Sequence, residues 1–247
     1  MLRTIAILAA LALPVAPALA QQVDSYTRCL EAVRADAEKG LQSALQWRDV
    51  GGGVPARHCT AVAYAANGQH RIAGAQLQTL ADDLAKSDSR AAAEVMGQAA
   101  AMWTLGQAED KALRALEQAL AWQPKNPALH LDRALLLAGQ DRFGPAEQSA
   151  SRAIQLNDLM VEAYAVRAMI RRSSGNFAGA EEDTATALAL APDNPHAIME
   201  RARARARGGD MDGARDDLTG LVARDPEASW AESARRLLEE LELEHGG

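Results

Sequence analysis

Aromatic residues are scarce in this 247-residue chain, at 4%, and it holds only 2 cysteines. So few rings, with few β-branched residues, argue against a β-sandwich. Two cysteines cannot staple a mini-protein, and Cys29 and Cys59 form neither C-x-x-C nor C-x-x-C-H, which removes a haem carrier. A basic excess is also missing. Lys plus Arg number 26 against 33 Asp plus Glu, and a net charge of −7 counts against non-specific binding to nucleic acid or anionic membrane. No phosphate loop, G-x-S-x-G elbow or H-E-x-x-H pair occurs. The histidines His58, His70, His130, His196 and His245 have no metal-ligand spacing, so neither a metal nor a cofactor is expected. What the chain has instead is alanine, 55 residues of it, which points to packed helices.

The start reads as an export signal. Met1-Leu2-Arg3 is basic, Thr4 to Leu13 is uncharged and apolar, and Ala18-Leu19-Ala20 fits a cleavage site. The run is too short to span a bilayer and Pro14 and Pro17 interrupt it, so the expected mature chain begins at Gln21 and is periplasmic or secreted.

A period of 34 runs through the rest. Ala100, Ala134, Ala168 and Ala202 share one phase, and Ala112, Ala146, Ala180 and Ala214 share another. Ala119, Ala153, Ala187 and Leu221 share a third, while Pro124, Pro192 and Pro226 close three of the units. At these positions the chain resembles the tetratricopeptide-repeat family. The resemblance implies an all-α, right-handed superhelical solenoid of helix-turn-helix units: helix A, a tight turn, helix B, then a loop. The expected units are 54–87, 93–126, 127–160, 161–194 and 195–228, with five loop residues around Asp88-Ser89-Arg90 after the first. Before them, 21–53 holds two helices, around Ser25 to Arg34 and from Asp36 to Arg48, and Gly51-Gly52-Gly53 breaks the chain. After them, 229–247 carries an amphipathic helix from Ser229 to Leu243 that would cap the last repeat.

Charges follow the same period. Arg133, Arg167 and Arg201 share a phase of helix A, Arg171 and Arg205 follow by four, and the acids Glu182-Asp183 and Asp216-Asp217 recur in helix B. Where Leu137 replaces the second arginine, Gln148-Ser149 replaces the acids. Arg167, Arg171, Arg201 and Arg205 are therefore expected to pair with Glu182, Asp183, Asp216 and Asp217 as structural ion pairs. The run RARARAR (201–207) is not one patch, because residues two apart sit about 200° around a helix.

Groove positions of helix A in this family imply a concave surface of Leu131, Leu135, Met169, Arg172, Met199, Arg203 and Arg207. It would be apolar toward the N-terminal repeats and basic toward the C-terminal ones, suiting an apolar segment followed by acidic groups or a C-terminal carboxylate. The expected function is an exported, non-enzymatic scaffold for a protein or peptide partner in envelope assembly or secretion. A solvated face without a ligand is the competing reading, and direct glycan binding as an accessory subunit of a cell-wall or polysaccharide enzyme is the alternative function. Cys29 and Cys59, two thiols in an oxidising compartment with no other motif, are expected to form a disulfide.

Overall fold

The computed structural model describes the backbone of residues 16–245 and the side chains of 25–243. The apolar leader up to residue 15 lies outside the described residues, and Ala18-Leu19-Ala20 falls in the first helix. The chain divides into two compact units between Leu80 and Ala81.

The first unit holds α1 (Ala16–Ala35), α2 (Ala37–Asp49) and α3 (Gly53–Ala66), each packed on the other two. Asp36 separates the first two helices because its carboxylate accepts from the Lys39 N–H and caps α2. Gly40 lets them cross closely, since a Cβ there would stand 2.5 Å from Val33 Cα. The glycine triplet is a tight corner. Gly51 and Gly53 take positive φ (88° and 63°), while a Cβ on Gly52 would strike Trp47 Nε1 at 2.6 Å. Cys29, Val33, Ala44, Cys59 and Ala63 form the core of this unit, and a disulfide joins Cys29 to Cys59 with their Cα atoms 6.4 Å apart. Helix α3 thus packs with the N-terminal pair, whereas the sequence assigns it to the start of the repeat array. The helix α4 (His70–Leu84) crosses the division between the units.

The second unit contains α5 (Ser89–Leu105), α6 (Glu109–Trp122), α7 (Pro127–Gly139), α8 (Phe143–Leu156), α9 (Val161–Ser173), α10 (Phe177–Leu190), α11 (Pro195–Gly208), α12 (Met211–Arg224) and α13 (Ala231–His245). Four hairpins, α5–α6 to α11–α12, pack in chain order, and α13 lies on α12. The expected loop at Asp88-Ser89-Arg90 is instead the start of α5. The Asp88 carboxylate accepts from the N–H groups of Arg90 and Ala91, and the alanines that follow continue the helix. Asn126 and Asn194 cap α7 and α11 with proline as the next residue, where a missing N–H costs nothing. Helices α6, α10 and α12 stop two residues before Pro124, Pro192 and Pro226.

Small residues at fixed phases let the helices approach. Ala134, Ala168 and Ala202 of the first helices and Ala146, Ala180 and Ala214 of the second are all fully buried. The turn inside each hairpin repeats as well: Gln107, Asp141, Gly175 and Gly209 have φ of 54°, 56°, 87° and 97°, at intervals of 34. The amide after each donates to the carbonyl five residues back, as in Ala108 to Trp103 and Asn176 to Arg171. Glycine fits this left-handed position and glutamine does not. Gln107→Gly should therefore raise the stability of the second unit by up to about 1 kcal/mol, and Asp141→Gly by less, since Asp visits the region more readily. Urea denaturation midpoints check both, and a loss in Gln107→Gly would contradict the strain.

Candidate functional site

Helices α5, α7, α9 and α11 occupy the first position in their hairpins, and their side chains divide between two tasks. One face carries a ladder of arginines that binds the second helices. Arg133, Arg167 and Arg201 each reach the residue 16 positions on: Nε donates to Ser149 Oγ at 3.0 Å, to Asp183 Oδ2 at 2.9 Å and to Asp217 Oδ2 at 2.9 Å. The two carboxylates are gripped twice, because Nη2 of Arg167 and of Arg201 donates to the other oxygen at 2.6 Å. Arg171 and Arg205 add a second guanidinium to the same acids, at 3.1 and 2.8 Å. Arg171 also donates to Glu147 Oε1 of α8 at 2.7 Å and so ties one hairpin to the next. Bonding to Asp183 raises the already high pKa of Arg167. Glu182 and Asp216, expected in this network, are exposed and take no part in it. Adjacent residues stand about 100° apart on a helix, so only one acid of each pair can face the arginines.

The other task is a surface that, among the described residues, lines at least two cavities. The first, of about 430 Å³, lies among α5, α6 and α7 and is walled by Ala101, Leu105, Leu116, Leu135 and Leu136. Its mouth exposes two large apolar side chains, Leu105 at 58% and Leu135 at 44%. Asp132, Glu109 and Thr104 are its polar groups, and no lysine or arginine lines it. Partial loss of hydration beside the cavity pushes the Asp132 carboxyl above the usual carboxylate range, although the residue stays exposed to water. The second cavity, of about 330 Å³, lies between α9 and α11 and is lined by Val166, Met169, His196, Met199, Glu200 and Arg203 among others.

These positions correct the expected groove. Leu131 does not line it but is buried against Ala153 and Ala163, and Met199 sits mostly in the core, showing only an edge to the second cavity. Leu135, Met169 and Arg203 do line cavities. Nor is the C-terminal end an open basic surface. Glu200, buried in α11, receives a short hydrogen bond from Arg172 Nε and lies 3.6 Å from Arg203 Nη1. Burial holds its carboxyl above the usual range, although both guanidiniums pull the other way. Arg207 is exposed at the end of α11. His58, next to the disulfide, is engaged by the Tyr26 hydroxyl at 2.8 Å. Trp103 is buried, with Lys111 Nζ 4.3 Å from its ring centroid, and no tryptophan lines either cavity to form a sugar platform.

Sequence reasoning missed Leu105, Asp132 and Glu200. A signal existed for the two acids, because Asp132 and Glu200 stand two periods of 34 apart and share a phase with Val166. Likewise Ala101, Leu135, Met169 and Arg203 share a single phase, and all four line a cavity.

Stacked helical hairpins with a 34-residue period, small residues at the crossings and a left-handed turn in each are the tetratricopeptide-repeat fold. Solved structures agree. A tetratricopeptide repeat protein from Parabacteroides merdae superposes with a TM-score of 0.71 over 90% of this chain and 88% of its own, at 16% identity. PilF of Pseudomonas aeruginosa gives 0.62 over 87% and 96%, at 14% identity. YrrB, described as a TPR protein with an unusual peptide-binding site, gives 0.53 over 73% and 91%, at 19% identity. No model of a known protein family matches the chain, and no characterised protein matches it in sequence.

Proposed function

We propose that this chain is an interaction scaffold, without catalytic activity of its own, that holds an apolar segment of a protein or peptide partner against α5 and α7. One observation carries the reading: Leu105 and Leu135, large apolar side chains left in water, converge on a single apolar cavity. Singly exposed leucines need no explanation, but two that wall the same hollow provide an anchor site. The peptide-binding site named for YrrB supports the same use of the fold. The signal-like start and the disulfide support an exported location, and hence a role in envelope assembly or secretion. An acidic tail on the partner, which the arginines of α9 and α11 suggest in sequence, loses its support because Glu200 already holds Arg172 and Arg203.

The test is selection of phage-displayed random dodecamers on residues 21–247. Peptides should be enriched, and Leu105→Asp with Leu135→Asp should weaken them about tenfold or more while thermal unfolding stays within a few degrees. No enrichment, or equal binding to the double variant, would overturn the reading.

A further inference from the structure

Glu200 and Asp132 are the same position of helix A, 68 residues and so two periods apart. At Glu200 the chain supplies its own counter-charge. The guanidinium of Arg172 reaches it from the end of the preceding first helix, 28 residues earlier, and Arg203 reaches it from three residues on. The equivalent positions around Asp132 are Thr104, again 28 residues earlier, and Leu135, three residues on. Thr104 spends its hydroxyl on the Ala100 carbonyl, and Leu135 has nothing to donate. Asp132, exposed where Glu200 is buried, lines the same mostly apolar cavity as Leu105 and Leu135 and makes no hydrogen bond or ion pair among the described residues. Glu109 adds a second acid to that wall. An acid at this phase therefore has a cationic partner in one cavity and an empty place for one in the other.

Resting on the scaffold reading above, we propose that Asp132 receives a lysine or arginine side chain of the partner, which enters where Arg172 and Arg203 stand two repeats later. The partner segment then carries apolar residues for Leu105 and Leu135 and a basic residue beside them. The sign of its charge is opposite to the acidic segment that the arginine-rich repeats suggest. Because Asp132 is open to water, the pair adds modest affinity and acts mainly by selecting charge beside a hollow that selects shape.

The composition and response of the selected dodecamers decide this separately from the scaffold reading. Expected are peptides enriched in Lys or Arg within a few residues of Leu, Met or Phe. Asp132→Asn should weaken them about fivefold to tenfold, and a peptide with its basic residue changed to glutamine should bind both forms alike. Thr104→Arg is the sharper variant, because it rebuilds the counter-charge that Arg172 gives Glu200. It should keep the fold and exclude basic peptides about tenfold. Selected peptides without a basic bias, or with an acidic one, would overturn the proposal and leave the scaffold standing. So would basic peptides indifferent to both Asp132→Asn and Thr104→Arg. A failure to enrich any peptide would remove both.

Discussion

Asp183→Leu should cost the second unit about 3–5 kcal/mol, the loss expected when one side of a buried ion pair is removed. The Asp183 side chain is 2% exposed and the two arginines that grip it are each 17% exposed, so solvent cannot replace the missing charge. Arg167→Leu should cost less, about 1–3 kcal/mol, because Arg171 still reaches the carboxylate. Changing both Arg167 and Asp183 to leucine should recover much of the loss, since Arg171 keeps Glu147 and the Gly179 carbonyl. Urea denaturation of the four proteins measures this, and additive losses in the double variant would mean the two residues are not coupled.

Breaking the disulfide is the second large effect, and it falls on the other unit. The bond closes 30 residues of chain and ties α1 to α3 across the glycine corner. On the chain-entropy model that loop is worth about 3–4 kcal/mol. Cys29→Ala with Cys59→Ala should therefore lower the stability of the unit built around Val33, Ala44 and Ala63 by that amount. Added reductant should do the same to the natural chain and nothing further to the double variant. Unchanged denaturation of the natural chain in reductant would contradict the assignment.

The sequence made the repeat scaffold plain because packing leaves a periodic residue signature. Ala134, Ala168 and Ala202 must be small where helices cross, so they recur every 34 residues whatever the surface does. The arginine ladder was legible for the same reason, down to Ser149 replacing the acid where its arginine has no second neighbour. Its wrong members, Glu182 and Asp216, were adjacent to the right ones, and adjacency conceals a 100° rotation. Leu131 and Met199 were misplaced because one helix face serves both the crossing and the groove, and which atoms reach water depends on the neighbouring hairpin. Glu200 was invisible as a clamp for Arg172 for a related reason. Their 28-residue separation becomes a contact only when two hairpins stack. The mismatch in period suggests a loop at the start of α5, whereas Asp88 caps a longer helix there.

Site-specific cross-linking in exporting cells tests the central claim most directly. A photoreactive benzoylphenylalanine in place of Leu135 looks into the cavity, while one in place of Gln118, exposed on α6, looks away from it. Illumination should join a discrete partner to the first protein and not to the second, and basic peptides that bind the cavity should compete the adduct away. Equal adducts from both positions, or none from position 135, would contradict a partner-binding surface on α5 and α7.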